Sequence, residues 1–339
     1  MSKARLALIL SAPITVAVIS IALCAGSGPV GPADILAVIA ARARGLAPHD
    51  GPVAGIVWDL RLPRVLLAWI AGAALSVSGA IMQSLLKNPL ASPFTVGVSS
   101  GASLGAGLVI LSGLSLPFLG PLTVPVAGFL CAVATAWLVL RFSRAIDPLL
   151  EGSTIVLVGM VLSLFVNAIL TAVSAASGKE LARLVIWQMG SFALRGWKPV
   201  AVLFPLLVAS AALAFLLRRE LDAMTFGDEE ARALGVPTIA TKRVLVGIVS
   251  VLTGATVSFV GVIGFLDLAV PQAVRRLVGP GHRALIPFSA IAGGAFMVLA
   301  DLAARVALSP LDLPVGAVTA LVGAPVFALI FLGAARGRI

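Results

Sequence analysis

The sequence predicts an all-α, polytopic membrane protein with about ten transmembrane helices. Of its 339 residues, 60% are hydrophobic and only 11% are charged, and the mean hydropathy is +1.12. The core of a water-soluble protein cannot bury so large an apolar fraction. Apolar runs recur along the whole chain, each close to the roughly 20 residues with which an α-helix crosses about 30 Å of hydrocarbon. We therefore expect a single transmembrane domain over residues 1–339.

The distribution of Lys and Arg orients the predicted segments, because these residues accumulate in the short cytoplasmic loops of membrane proteins. One side carries 15 of the 24 Lys and Arg residues and the other side carries nine. Both termini are therefore expected in the cytoplasm. The ten predicted segments are approximately residues 5–26, 62–83, 92–112, 118–141, 154–176, 197–218, 243–264, 267–279, 284–305 and 313–334.

The first segment follows Lys3 and Arg5 and has the outline of a signal peptide. It is long for a signal peptide and lacks a clear small-x-small cleavage site, so we interpret it as the first span. The loop that follows, residues 27–60, is expected outside the cytoplasm, with a short helix over residues 33–44.

The stretch "QSLLKNPLASP", residues 83–93, separates the second and third segments. Helical geometry is disfavoured for a residue that precedes proline, so the pair Asn88-Pro89 predicts a turn on the cytoplasmic side. On this pattern alone, the stretch is an ordinary helix–loop–helix turn.

The stretch between Lys242 and Arg275 is too short for two complete helical crossings. Both residues are assigned to the cytoplasm, which leaves about 31 residues where two crossings would need roughly 40. The glycines of "GVIGFLDLAVPQ", residues 261–272, mark a break. Non-helical backbone at that depth is tolerated where protein or a water-filled cavity surrounds it, so we expect this hairpin to line a pathway. Within it, Asp267 should face a cavity or pair with a cation.

The large cytoplasmic loop, residues 219–242, is rich in charge and contains a predicted short helix with glycines at its two ends. Its apolar face, formed by Ala231, Leu234 and Val236, would fit a cleft on a soluble protein. A solvated connector is the alternative interpretation. The residues assigned to this docking helix are Gly227, Asp228, Glu229, Ala231, Leu234 and Gly235.

The remaining reactive residue types argue against an enzyme. Cys24 and Cys131 lie inside apolar runs, which favours packing over a disulfide or a metal site. The two histidines, His49 and His282, are expected in loops far apart, so no cluster is predicted to ligate a metal or haem iron. The stretch "SGKE", residues 177–180, lacks the flanking residues of a phosphate-binding loop. We expect no directly bound cofactor and no nucleic-acid partner.

Several segments together resemble the permease subunits of type II ABC importers for iron-siderophores, haem and cobalamin. They are "RLPRVLLAWIAGAALSVSGAIMQSLLKNPLASP", "GVSSGASLGA", "GDEEARALGV", "GVIGFLDLAVPQAVRRLVG", "LADLAARVAL" and "LPVGAVTALVGAPVFALI". The resemblance implies a cobalamin-permease-like bundle in the bacterial inner membrane. It also implies a second permease subunit, two cytoplasmic ATPases that use the ATP, and a periplasmic or lipid-anchored substrate-binding protein.

The resemblance also assigns roles to individual residues. Arg61, Arg64 and Arg305 are similar to the external arginines that meet acidic residues of the binding protein. Their outer positions run against the positive-inside bias, although interfacial anchoring is an alternative. The turn with Asn88 and Leu90, together with Ser153, resembles the cytoplasmic gate. The docking helix resembles the segment that couples to the ATPase.

The chain departs from the family pattern Gly-Leu-x-x-Pro-His, because Asp267 and Gln272 occupy its first and last positions. We assign both to the translocation path. Asp301, in "LADLAAR", fits the family pattern and is expected to be a structural partner inside the bundle.

The leading hypothesis is therefore the permease subunit of an ATP-driven importer for a chelated iron compound or a corrinoid. An ion-coupled secondary transporter is the alternative, although it would need paired intramembrane carboxylates. The choice among siderophore, haem and cobalamin stays open, as does the identity of the second permease subunit.

Overall fold

The computed structural model describes residues 3–25, 30–45, 52–176, 178, 180–309 and 311–335, and over these residues the secondary structure consists of helices and turns without strands. A π-helical turn, Ile56–Arg61, runs directly into α4, and 3₁₀ turns cover Pro93–Val96 and Gly120–Leu122. The α-helices are α1 (Lys3–Cys24), α2 (Pro32–Ala43), α3 (Pro52–Gly55), α4 (Leu62–Leu85), α5 (Val98–Ser112), α6 (Thr123–Ile146), α7 (Gly152–Ala175), α8 (Leu181–Gln188), α9 (Trp197–Leu216), α10 (Arg218–Met224), α11 (Asp228–Ala233), α12 (Thr238–Val260), α13 (Leu266–Val278), α14 (His282–Val306) and α15 (Val315–Ala335).

Each of the ten predicted segments coincides with a helix, namely α1, α4, α5, α6, α7, α9, α12, α13, α14 and α15. Among the described residues, six helical segments are long and apolar enough to cross a membrane. Shorter apolar helices cover Pro13–Cys24, Val98–Ser112 and Val315–Leu329. The all-helical membrane fold is thus confirmed, whereas the count of ten spans stays a prediction. The short helix expected in the loop after α1 is α2.

Helix α4 forms the centre of the bundle and packs against α12, α13 and α14. Glycines allow these close approaches. A Cβ atom on Gly72 would lie 2.2 Å from the carbonyl oxygen of Gly293 in α14, and one on Gly79 would lie 1.9 Å from the carbonyl oxygen of Asp267. Helices associate in membranes largely through such close packing of small residues. This arrangement places Asp267, an expected site residue, directly against the central helix.

The predicted break between the seventh and eighth segments lies where expected. Helix α12 ends at Val260, Gly261 has a φ of +84°, and α13 begins only at Leu266. A Cβ atom on Gly261 would lie 2.2 Å from the carbonyl oxygen of Trp187, so glycine is required there for space as well as for φ. The carbonyl of Val260 accepts a hydrogen bond of 2.8 Å from the backbone of Ser191. Surrounding protein therefore pairs with irregular backbone at this break.

Candidate functional site

The three predicted external arginines converge at one end of the bundle, where Asp301 holds two of them. Arg64 donates to Asp301 through Nε at 3.0 Å and Nη2 at 2.9 Å, and through Nη1 to Asp312 at 2.7 Å. Arg305 Nε lies 3.2 Å from Asp301 Oδ2. The Asp301 side chain is 1% exposed, so these guanidinium groups balance a charge that would otherwise be costly to bury. The expectation of Asp301 as a structural partner is confirmed.

Arg61 and Arg305 also bind the last carbonyl groups of α1. Arg61 Nη1 donates to Leu23 O at 2.9 Å, and Arg305 Nη2 donates to Ala22 O at 3.0 Å. The last four carbonyls of a helix have no intrahelical partner, and cations stabilise the negative end of its dipole. Arg61 is only 6% exposed. Its capping contact was missed from the sequence, because nothing in the local pattern places the end of α1 beside α4.

A cavity of about 600 Å³ lies at this end of the bundle, lined by Arg61, Arg64, Arg305 and Asp312 among others. Leu194, on its rim, is 87% exposed. The three arginines thus share one cationic depression, although each also holds the fold together. Their docking role stays a prediction.

At the opposite end, the Asn88 turn forms the link between α4 and α5. The Asn88 side-chain oxygen accepts a hydrogen bond of 2.9 Å from the Leu90 backbone, and the Asn88 backbone donates to Gln83 O at 3.1 Å. Leu90 is 48% exposed, which leaves its side chain available to neighbouring elements. A gate role for this turn stays a prediction.

Ser153 lies in the first turn of α7 and lines a cavity of about 390 Å³ together with Lys87 and the start of α11. The loop before it is fixed by Asp147, which accepts hydrogen bonds from the backbones of Glu151 and Leu149. These hydrogen bonds, that from Glu151 above all, hold the pKa of Asp147 below its usual range. The structure therefore brings the two predicted gate elements and the docking helix to one end of the bundle.

Asp267 was expected to face a cavity or to pair with a cation, but the structure buries its carboxylate against an uncharged hydroxyl group. Its side chain is 1% exposed, and Oδ2 accepts a hydrogen bond from the Ser92 hydroxyl. Oδ1 has no hydrogen-bond partner among the described residues. Helix α13 packs closely on α4, and the Asp267 side chain reaches Ser92 in the loop between α4 and α5. Its assignment to the path stays a prediction.

Gln272 connects the short helix α13 to the gate turn. Its Nε2 donates to Gln83 Oε1 at 2.8 Å and reaches Pro89 O at 3.5 Å. Gln83 Nε2 in turn donates to Asp267 O and Leu268 O, both at 3.2 Å. The Gln272 side chain and the backbone carbonyl of Asp267 therefore belong to one partly buried chain of amide hydrogen bonds.

The docking helix α11 has the predicted boundaries but a different exposed face. It spans Asp228–Ala233, and Gly235 follows with a φ of +84°. Leu234 is 73% exposed, as a docking residue should be, whereas Ala231 is fully buried. The prediction that Ala231 belongs to the spare apolar face was wrong, because that side of the helix packs on its own subunit. Phe226, just before the helix, is 80% exposed.

A buried lysine ties this helix to the bundle. The Lys242 side chain is 1% exposed, pairs with Asp228 and donates to Leu150 O at 2.7 Å. Lys87 Nζ, beside the gate turn, lies 3.5 Å from the other oxygen of Asp228. The sequence indicates only that Lys242 lies on the cytoplasmic side, since burial of a lysine at a helix end has no local signature.

His282, expected in a loop, is the first residue of α14 and is fully buried. Its Nδ1 lies 2.6 Å from Asp222 Oδ1, and its Nε2 lies 2.7 Å from Ser84 Oγ. Arg275 donates to the same hydroxyl at 2.9 Å. This network joins α10, α4, α13 and α14 on the side of the docking helix. Among the described residues, no group of three or more His, Cys, Asp or Glu side chains could hold a metal ion.

An apolar helical bundle with a cationic depression at one end, and a turn beside a short exposed helix at the other, defines a polytopic membrane permease. The chain belongs to the FecCD transport family, whose profile matches residues 14–333. The resemblance found in the sequence motifs is thereby confirmed.

Three relatives with similar sequences are ABC-importer or ABC-transporter permeases. The permease protein YvrB of Bacillus subtilis is 44% identical over 85% of this chain and 82% of its own. The cobalamin import system permease protein BtuC of Halobacterium salinarum is 39% identical over 80% of this chain and 72% of its own. The hemin transport system permease protein HmuU of Yersinia pestis is 38% identical over 81% of this chain and 83% of its own.

The fold has a counterpart among solved structures. An inward-facing metal-chelate type ABC transporter matches with a TM-score of 0.82 and 27% sequence identity, covering 96% of this chain and 98% of that chain.

Proposed function

We propose that this chain is the membrane-spanning subunit of an ATP-driven importer that moves a chelated iron compound, such as a siderophore or haem, or a corrinoid. The observation that carries the proposal is the family match over residues 14–333, which includes both the cationic depression and the docking helix. In this proposal the chain crosses the bacterial inner membrane ten times, with both termini in the cytoplasm.

The partners follow from the two ends of the bundle. A periplasmic or lipid-anchored binding protein would dock its acidic residues over the depression with Arg64. A cytoplasmic ATPase, one for each of two permease subunits, would receive Leu234 and Phe226 in a cleft. ATP hydrolysis takes place in that separate subunit, and the second permease is either a copy of this chain or a paralogue.

The substrate class comprises a siderophore, haem or a corrinoid. Sequence identity does not choose among them, because relatives named for cobalamin and for hemin are 39% and 38% identical to this chain. A recess of about 340 Å³ offers a surface of uncharged polar groups that suits a substrate already wrapped by its chelator. Its polar lining residues are Ser99, Ser100, Ser103, Ser163, Asn167 and Gln188.

Uptake into proteoliposomes tests the proposal. The permease is reconstituted with the ATPase and binding protein encoded beside it, and labelled cyanocobalamin, haem and a ferric siderophore are supplied in turn. We expect ATP-dependent accumulation of one of the three. Accumulation driven by an ion gradient without ATP would favour the secondary transporter, and no accumulation with ATP would contradict the importer.

The ATPase contact is tested with Leu234→Asp, which would bury a charge in that contact and weaken assembly. Leu277→Asp is a matched control, because Leu277 lies on the same side and both leucines are 73% exposed. We expect co-purification of the ATPase to fall about tenfold or more for Leu234→Asp and to stay near the wild-type level for the control. Equal behaviour of the two variants would exclude this part of α11 from the contact.

The binding-protein contact is tested with Arg64→Gln. This change removes a charge from the depression while Arg305 still balances the buried Asp301. We expect about a tenfold loss of binding-protein affinity at low salt and a smaller loss at high salt, since exposed charge pairs are screened by ions. Unchanged affinity at low salt would leave Arg64 with a structural role alone.

A further inference from the structure

The surface between α6 and α12 carries a groove that the transport function does not use. It has a volume of about 400 Å³, which lies within the roughly 300–1,000 Å³ of sites for small ligands. On α6, its lining residues recur at the spacing of one helix face, from Val133 through Trp137 and Leu140 to Arg144. The apolar part and the basic part of the groove are therefore separated along the helix axis.

The basic end is formed by three arginines. Arg141 and Arg144 lie in the last two turns of α6, and Arg243 lies in the second turn of α12. All three are exposed. None of them forms an ion pair with a carboxylate within the described part of the chain. Asp147, at the end of α6, is three residues from Arg144 and accepts backbone hydrogen bonds instead. Three like charges that converge without a paired carboxylate favour the binding of an anion from elsewhere.

The apolar end extends into the region of the hydrocarbon. From Arg243 to Val251 the groove follows α12 for eight residues, or about 12 Å at the rise of an α-helix. That length is close to the thickness of one leaflet, which is half of about 30 Å. Gly247, between these two residues, has no heavy atom within 4 Å of the place where a Cβ atom would lie. The glycine leaves the groove open along this length, and Trp137, 60% exposed, borders it on α6.

The geometry points to a binding site for one anionic phospholipid of the cytoplasmic leaflet, with its phosphate at Arg141, Arg144 and Arg243 and an acyl chain along Gly247. Basic pockets between transmembrane helices on the cytoplasmic side are suited to such headgroups. The docking loop and the gate turn are also assigned to that side, so the arginines lie at the level of the headgroups. The inference depends on this orientation and not on the transported substrate.

The test measures lipid retention by native mass spectrometry of the detergent-purified permease, titrated with phosphatidylglycerol or with phosphatidylcholine of the same chains. We expect one phosphatidylglycerol per subunit and little phosphatidylcholine. The double variant Arg144→Gln and Arg243→Gln should bind phosphatidylglycerol about 30-fold more weakly, because each basic residue near an anionic lipid contributes about fivefold. The control Arg219→Gln with Arg283→Gln removes two exposed charges on the same side outside the groove and should change affinity less than threefold.

A second variant tests the apolar part without a change of charge. Gly247→Leu fills the groove and favours the helix, so loss of folding does not confound it, and we expect about a tenfold loss of phosphatidylglycerol. Val244→Leu, on an exposed face of the same helix, should have no effect. Three outcomes would each overturn the site. The two arginine double variants could weaken phosphatidylglycerol binding equally, or phosphatidylcholine could be retained as well as phosphatidylglycerol. The third outcome is a Gly247→Leu variant that binds phosphatidylglycerol like the wild type. Release of the lipid by inorganic phosphate would assign the arginines to a soluble anion and would overturn it as well.

Discussion

Removal of the Asp228 carboxylate should destabilise the protein far more than removal of an exposed carboxylate would. The variant Asp228→Ala leaves the ammonium group of Lys242 buried, with the carbonyl oxygen of Leu150 as its hydrogen-bond acceptor at 2.7 Å. The side chains of Lys242 and Asp228 are 1% and 13% exposed, so water replaces the lost carboxylate poorly.

The expected loss of stability in Asp228→Ala follows from these contacts. Removal of one partner from a buried ion pair costs about 3–5 kcal/mol, because the other charge is left uncompensated. The contact at 3.5 Å between Asp228 and Lys87 adds little, since the Lys87 side chain is 38% exposed and exposed pairs contribute about 0–1 kcal/mol. We expect a loss of about 3–4 kcal/mol for Asp228→Ala. Glu229→Ala, at the exposed neighbouring position, should cost no more than about 0.5 kcal/mol.

The assay is equilibrium unfolding in mixed micelles, with the fluorescence of the five tryptophans as the signal. A double-mutant cycle with Lys242→Met separates the charge effect from the loss of a contact. The double variant should be more stable than Asp228→Ala alone, because it contains no unpaired buried charge. A double variant with the summed losses of the single variants, or an Asp228→Ala variant as stable as Glu229→Ala, would refute the reasoning.

Two further predictions concern the packing of the bundle at Gly72 and the accessibility of residue 267 to water. Gly72→Ala should lower the free energy of unfolding by about 1–3 kcal/mol, because its methyl group would lie 2.2 Å from the carbonyl oxygen of Gly293. Gly247→Ala meets open space, so it should leave stability unchanged or raise it slightly in the same unfolding experiment. An equal loss of stability in the two variants would contradict the packing argument. The variant Asp267→Cys is made in a chain without the native cysteines. Without nucleotide, this cysteine should resist a water-soluble thiol reagent, because residue 267 is 1% exposed. If position 267 lines the translocation path, the cysteine should react when nucleotide binds the ATPase. Resistance in every state would remove Asp267 from the path.

Much of the fold could be predicted because its signals are local. The length of an apolar run specifies a membrane helix, and the glycines after Val260 mark a break that α12 and α13 display. The same holds for the end of α11, where Gly235 takes the left-handed conformation that glycine favours. The count of ten spans does not follow from run length alone, because α13 is only 13 residues long and its place in the membrane depends on its neighbours.

The pairing of side chains could not be predicted, because it depends on which helices meet. The charge of Arg61 suggested an outer contact, yet Arg61 donates hydrogen bonds to the carbonyl groups at the end of α1. Similarly, Ala231 and Leu234 stand three residues apart and suggest one face, but the short helix α11 turns the first inward. A helix of six residues has too little periodicity to define which face is buried.

The contacts of Asp228 connect the short helix α11 to α12 and to the neighbourhood of the Asn88 turn. This one carboxylate begins α11, pairs with Lys242 at the start of α12 and lies near Lys87 beside the Asn88 turn. Through Lys242 it also reaches the carbonyl of Leu150, just before α7 and Ser153. The contact with Lys87 beside the Asn88 turn is partly exposed and adds little to this link. A displacement of α11 by a bound partner must therefore carry α12 with it or break the buried ion pair with Lys242. Because breaking that pair costs several kcal/mol, movement of these elements as one unit is the less costly response.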